Sequence, residues 1–390
     1  MTQDANAGDN HSLALDLPPR STTRTSSPDD ARTLLALSAI EGLGRVSLGS
    51  VFDSFSPLSA VWTASAEDLR PILVKARNRR VEQAISQITE ERDFLLDRAD
   101  RQLRSFEKQR ISVLFNNDDA YPSRLKLANG PRWLFVQGAH GLLNRQSTVA
   151  VVGTREPTAA GIGRARTVAA KLAKKGFVVV SGLADGIDTE VHAAVVESGG
   201  ETIAVLGNGL SVEFPAGSSD LRRKIVQSGG AIVTEYLWNE RYSRATFIQH
   251  NRIQAALSGA VCPVECKRKS GTAHTIRFAS ELKRLLFGVG NLQSLTAADN
   301  EVVGILGDLA APIFDLSRDE TLTALWSFLE SISGDLRPAP TDLGSQLLST
   351  YGPTLRQLRD IVQSRNVSSL ERDWVQRMIS SILSGKRQEG

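Results

Sequence analysis

The sequence predicts an α/β protein whose main domain is an open, mostly parallel sheet covered by helices. Three observations predict it. After Arg110 the hydrophobic pattern breaks into short β-prone runs, ISVLF, TVAVVG, GFVVVS, ETIAVLG, GAIVTE and AVCPVE, that alternate with the helical stretches ARTVAAKLAKK, DTEVHAAVVES, SDLRRKIVQS and HNRIQAALSG. The runs are apolar on both of their faces, as suits inner strands of a parallel sheet. Several run directly into glycine or a small polar residue before the next helix begins.

Residues 1–29 are rich in Ser, Thr, Asp and Pro, and such a segment cannot bury enough surface to offset its ordering entropy; a disordered tail is expected. Residues 30–109 are expected to form a small helical domain. There ARTLLALSAIEGLGRVSLGSVFDSF is apolar at helical spacing, broken at Gly42 and Gly44, and a charged helical stretch follows from Glu67 to Arg110. Gly42-Leu43-Gly44 has two readings, a plain helix connection or a hairpin whose amides meet phosphate oxygens. The connection is preferred, because the adjacent sequence offers only Arg45 as a cation. The run ERDFLLDRADRQLRSFEKQR mixes charges at helical intervals and reads as a solvated face.

Residues 110–310 make the α/β domain, and 311–390 a linker and C-terminal helical region. In the latter, IFDLSRDETLTALWSFLESI reads as a strand or loop followed by a helix, and DLRPAPTDLG as a linker. Two amphipathic helices, TLRQLRDIVQS and SLERDWVQRMISSILSG, complete it, with Trp374, Met378 and Ile382 at core-compatible spacing.

With 46 basic against 43 acidic residues, the formal charge of +3 is too small for nucleic-acid binding through bulk electrostatics, so any such site must be a local patch. The start MTQDANAGDNHSLALDLPPR lacks a basic, apolar signal segment, and no run of eighteen apolar residues occurs; a cytoplasmic protein without membrane association is expected. Cys262 and Cys266, the only cysteines, are expected to face one side of a single strand, but two thiols without a second ligand pair make a poor metal site. No metal or cofactor is expected.

The glycine loops are Gly153-Thr154-Arg155, Ser181-Gly182-Leu183, Gly207-Asn208-Gly209 and Ser270-Gly271-Thr272. At one edge of a parallel sheet they would place free amides and positive helix ends around a crevice, a suitable anion site. GTREPTAAGIG lacks the GxGxxG placement of a dinucleotide fingerprint, and there is no GxxxxGK[ST] to cradle a nucleoside triphosphate. Arg155 follows a strand beside Gly153, where its guanidinium either grips phosphate or pairs internally with Asp188 or Glu265. Arg252 has the same status, with Asn251 able to cap or hydrogen-bond the crevice. His192 and His274 read as packing or phosphate-bonding groups before acid-base groups, and Asp188 and Glu265 form no evident nucleophile and base arrangement.

Four segments, DDAYPSRLKLANGPRWLFVQG, VAVVGTREPTAAGIG, VVVSGLADGIDTEVHAAVVESGGETIAVLGNGLSVEFP and FIQHNRIQAALS, taken in order, resemble the DprA/Smf family across about residues 110–290. The resemblance implies a Rossmann-like domain that binds single-stranded DNA, forms a homodimer and helps load a RecA-type recombinase. Residue by residue, the family's GSR loop falls on Gly153, Thr154 and Arg155, its SGxAxGID segment on Ser181 through Asp188 (including Gly182), and its helix histidine on His192. Its Asn-Arg pair falls on Asn251 and Arg252, and its small-polar loop on Ser270, Gly271 and Thr272.

The chain departs from the pattern in two places. His250 stands where the family usually has arginine, and the segment from Lys283 to Gly290 lacks the usual glycine-arginine approach and proline-glycine ending. Lys267, Arg268 and Lys269 form either a compensating cationic rim or a solvated loop. Phe214 and Phe247 are either stacking groups or core. The leading expectation is single-stranded DNA binding without bond cleavage. The competing one is a nucleotide-sensing or nucleotide-processing protein using Asp188, Glu265 and His274, although a PGGxGTxxE hydrolase signature is missing.

Overall fold

The computed structural model describes residues 29–291 and 297–332, and the C-terminal helices expected after residue 353 lie outside them. The chain divides into two compact units, Met1–Asp97 and Arg98–Gly390. The division falls inside a helix, whereas the shift in hydrophobic pattern placed the boundary at residue 109.

The first unit contains α1 (Asp30–Ser38), α2 (Arg45–Ser54), α3 (Ala66–Lys75), α4 (Val81–Glu90) and the start of α5 (Arg92–Lys108). Leu34, Leu37, Leu48, Val51, Leu69, Leu73 and Ile88 are at most 1% exposed, so the helical spacing read from the sequence is the spacing of a real core. Ser65 and Asp68 form a capping box that starts α3.

The second unit runs β1 (Ile111–Phe115), α6 (Ser123–Leu127), β2 (Trp133–Gly138), β3 (Thr148–Val152), α7 (Ala159–Lys174), β4 (Val178–Ser181), α8 (Ile187–Glu197), β5 (Thr202–Val205), α9 (Ser219–Gln227), β6 (Ala231–Thr234), α10 (Arg244–Leu257), β7 (Ala260–Pro263) and α11 (Gly271–Glu281). It continues with β8 (Leu285–Leu286), β9 (Gly288–Val289), α12 (Ala297–Asp308), β10 (Ile313–Phe314) and α13 (Asp319–Glu330). Eight strands form one sheet in the order β1-β2-β6-β5-β4-β3-β7-β8. All neighbours are parallel except β1 with β2 and β2 with β6. The fold is therefore the expected Rossmann-like α/β sheet, with an antiparallel edge.

All six expected runs are strands. The strand β2 was not among them, since WLFVQG has no alternation to separate it from a buried loop or helix segment. Successive residues of β3 serve opposite faces of the sheet. Val149 and Val151 pack with Leu172, Val191 and Leu325 on one side, while Ala150 and Val152 pack with Ile253, Leu257 and Leu125 on the other. Such two-sided burial is why these strands read as continuous apolar runs.

The cysteines depart from expectation. The strand β7 ends at Pro263, so Cys266 lies beyond it. Cys262 belongs to the core around Val149 and Leu172, whereas Cys266 packs with Ile276, Val302 and Leu306. Both thiols are buried, and burial pushes both upward, Cys266 to about 12. Among the described residues no helix is long and apolar enough to cross a membrane.

The core of α7 offers a direct check on this packing. Leu172 is fully buried between α7 and the sheet, so Leu172→Ala is expected to lower the unfolding free energy by about 2–5 kcal/mol. The measurement is a urea titration, with a reduced midpoint at unchanged slope.

Candidate nucleic-acid interface

The chain order of the sheet locates the crevice. From β3 the connections step through β4 and β5 to β6, and β7 then returns to the other side of β3. The switch point of an open α/β sheet, where ligands characteristically bind, thus lies outside the ends of β3 and β7. The loops expected to line it all leave this edge: Gly153-Thr154-Arg155 from β3, Ser181-Gly182-Leu183 from β4, Gly207-Asn208-Gly209 from β5, and Ser270-Gly271-Thr272 between β7 and α11.

The deep anion seats, however, are filled by the protein's own carboxylates. Glu265 is 4% exposed and accepts from the Thr158 amide at 3.3 Å and its hydroxyl at 2.9 Å, with Arg164 at 3.6 Å. Thr158 is the residue that caps α7, so this carboxylate takes the position a bound anion would hold. Its approach requires Gly161, since a Cβ there would collide with the Glu265 Oε2 atom. The backbone carbonyl of Glu265 also accepts the Thr154 amide at 2.7 Å.

Asp188, in the first turn of α8, accepts the Gly182 amide at 3.2 Å. A Cβ on Gly182 would stand 2.6 Å from Gln254 Nε2 and 2.7 Å from Asp188 Oδ2, so only glycine admits this contact. Burial raises the Asp188 carboxyl to about 6, against the pull of hydrogen bonds from the Gly153, Ala184 and Gly182 amides. The expectation of free loop amides is therefore corrected at Thr154 and Gly182. Ser181 is likewise fully buried and donates its hydroxyl to the Val151 carbonyl at 2.7 Å. A sequence shows that glycine loops exist, but not which side chains enter them.

Outside those seats stands a group that spacing did not assemble. Arg155 is exposed and donates from Nη2 to the Tyr242 hydroxyl at 3.0 Å. Its guanidinium carbon lies 5.6 Å from the Tyr242 ring centre and 6.0 Å from that of Phe214. The two rings stack at 4.0 Å with 14° between their planes. Arg155, Phe214 and Tyr242 come from the loops following β3, β5 and β6, and meet at one sheet edge. Asn208 shapes the loop that carries Phe214, donating to the Gly209 and Val212 carbonyls at 2.9 Å each. Tyr242 escaped the sequence reading because it lies in an aperiodic stretch, 87 positions from its arginine partner. Phe214 is partly exposed, and the side chain of Phe247 lies outside the described residues.

The remaining expected residues divide by charge and burial. Arg252 makes a two-pronged pair with the nearly buried Glu235, its Nη2 at 2.8 and 2.7 Å from the two oxygens, so its charge is compensated. Asn251 is buried and donates to the Gly271 carbonyl at 3.0 Å, tying α10 to the Ser270 loop. Ser270 caps α11 by accepting from Ala273 at 3.3 Å, and Thr272 is buried. Lys267, Arg268 and Lys269 are exposed, with Arg268 paired to Asp308 at 2.8 Å on α12.

Of the histidines, His192 is fully buried, bonded through Nδ1 to Thr202 Oγ1 at 2.8 Å, and burial lowers it to about 3; it is a packing residue. His250 is also buried, with Nε2 2.9 Å from where a Cβ of Gly182 would stand. His274 is partly exposed and shifted downward by desolvation and by Arg277.

Comparison with known proteins gives this arrangement a lineage. Residues 112–304 match the family model described as DNA recombination-mediator protein A. Protein Smf of Synechocystis sp. is 31% identical over 314 residues, covering 74% of this chain and 75% of that protein. The chain belongs to the DprA/Smf family. A putative DNA processing protein DprA of Mycobacterium tuberculosis is 39% identical over 180 residues, which span 41% of this chain and 46% of that relative. The crystal structure of DprA from Streptococcus pneumoniae superposes with a TM-score of 0.55 at 26% identity, covering 75% of this chain and 97% of that one. The DprA/Smf match contains Arg155, Phe214 and Tyr242 as well as both internal carboxylates.

The buried Asp188 carries a pH signature with a definite sign. Its folded value of about 6 lies above the ordinary carboxyl value of 3.8, so the native state holds this proton more tightly than the unfolded chain does. The resulting stability is fully present below pH 3.8 and is lost as pH rises through about 6, a change on the order of 3 kcal/mol. In Asp188→Asn this part of the slope is expected to vanish when unfolding free energy is measured from pH 4 to 7.5.

Proposed function

We propose that the crevice edge binds single-stranded DNA, with Arg155 on a backbone phosphate and the Phe214 and Tyr242 rings receiving a base. The observation that carries this reading is the exposed guanidinium held over a stacked aromatic pair. A cation beside a π-face suits an unpaired nucleotide, whose phosphate and base are both accessible, and stacking tolerates any base. Lys267 and Lys269 extend the cationic edge, and Gly153, Thr154, Ser181, Gly182, Asn251, Ser270, Gly271 and Thr272 shape the loops beneath it. Arg252, paired with Glu235, contributes framework and a compensated charge rather than a bare phosphate grip.

The same geometry favours binding without cleavage. Asp188 and Glu265, the two carboxylates offered for chemistry, are held inside by loop amides, Thr158 and Arg164. With the capped start of α7 occupied by Glu265, a mononucleotide phosphate has no open seat there. The match to a recombination-mediator family supports a role as a homodimer that passes single-stranded DNA to a RecA-type recombinase.

Fluorescence anisotropy with a short single strand and the matching duplex tests the binding reading. Arg155→Ala removes a charge-assisted contact of about 1.5–3 kcal/mol, and Tyr242→Ala a stacking contribution of about 1–3 kcal/mol per base. Each is expected to weaken single-strand binding by roughly tenfold or more while the protein stays folded; unchanged affinity in both variants would refute the site. The mediator role requires that wild-type protein accelerate recombinase filament assembly on the single strand. Tight DNA binding without acceleration removes that role and leaves the binding site standing.

A further inference from the structure

The N-terminal unit carries a cationic surface assembled from two turns that are distant in sequence. Asn78 makes the assembly. Its Nδ2 donates to the Gly42 carbonyl at 3.0 Å and to Ser47 Oγ at 3.1 Å, while its Oδ1 accepts the Arg80 amide at 2.7 Å. Its own amide closes the end of α3 on the Leu73 carbonyl at 3.0 Å. The turn Lys75-Ala76-Arg77-Asn78-Arg79-Arg80 is therefore held against Gly42-Leu43-Gly44-Arg45, with Leu43 buried beneath at 2% exposure. The reading that left Arg45 as the sole cation near this hairpin is corrected by a hydrogen bond spanning 36 positions.

The two turns bring together Arg45, Lys75, Arg77, Arg79 and Arg80. Lys75, Arg77, Arg79 and Arg80 are exposed. Glu41 pairs with Arg80 at 2.5 Å. The concentration of positive charge contrasts with a whole chain that is nearly balanced. Gly44 is exposed, and nothing stands within 4 Å of where its Cβ would be, so another backbone can approach closely.

Neither Glu41–Val46 nor Val74–Arg80 contains an aromatic residue. These two turns offer cations for phosphates and no aromatic ring on which an unpaired base could stack. That combination fits a duplex, whose bases are already stacked inside and whose two phosphate rows face outward. We propose that Gly42–Arg45 and Lys75–Arg80 form a second, sequence-independent nucleic-acid site for the phosphate backbone of duplex DNA. It rests on the N-terminal unit alone and does not depend on the Arg155 site.

The test uses the full chain and anisotropy titrations at several salt concentrations, with a labelled duplex of about 20 base pairs and one of its strands. Lys75→Ala combined with Arg79→Ala changes two exposed side chains and is expected to weaken duplex binding on the order of tenfold, with the log–log salt slope shallower by about 1.8. Single-strand affinity should stay within about twofold. Gly44→Val keeps every charge and fits the space around it, yet obstructs close approach, and should also weaken the duplex complex. Circular dichroism checks that each variant is folded. The proposal is overturned if wild-type protein does not bind duplex, if duplex affinity is unchanged in either N-terminal variant, or if the double variant loses single-strand affinity equally.

Discussion

Glu265 sits where the strand order reverses in the sheet, and its contacts hold the crevice edge together. Its carboxylate joins the Thr158 cap of α7 and Arg164, and its backbone carbonyl holds the Thr154 amide. A residue just beyond β7 thereby fixes the loop after β3, across the neighbouring strand pair. Desolvating a carboxylate is costly unless hydrogen bonds and charge compensate, and here both are present. Arg155 immediately follows the anchored Thr154, so the backbone carbonyl of Glu265 sets the starting point from which an exposed guanidinium reaches outward.

Asp188 repeats the arrangement at the neighbouring loop, with Gly182 allowing a carboxylate into a space no larger residue would leave. Together the two acids turn a fold commonly associated with nucleotide phosphates into one whose inner amides are already engaged. The proposed recognition is at the rim, where the exposed Arg155 meets the half-buried rings of Phe214 and Tyr242. A backbone phosphate and a splayed base can reach such a rim without entering the sheet edge, which is the physical case for a polymeric ligand over a mononucleotide.

Charge is distributed with the same logic. Arg252 and Arg268, each beside a carboxylate, brace α10 and the loop before α11. Neither could have been separated from Arg155 by residue type alone. What distinguishes them is the partner: Glu235 lies 17 positions from Arg252 and Asp308 lies 40 positions beyond Arg268, whereas Arg155 leans on a phenol and two ring faces. Cations near a crevice therefore differ in the neighbours that tertiary structure gives them.

The layered α/β architecture is legible in the linear chain, because two-sided apolar runs, helical periods and the glycines between them are local consequences of burial and backbone geometry. So is the DprA/Smf lineage, through motifs in fixed order from Tyr121-Pro122 to Asn251-Arg252. That β2 joins the sheet, that Cys262 and Cys266 enter different cores, and that Tyr242 meets Arg155 emerges in the folded chain alone. The same holds for Asn78 drawing a basic turn onto the Gly42 hairpin. Each of these depends on contacts between residues far apart in the chain, and the energy of such a contact lies in distance and burial, which a linear pattern does not encode.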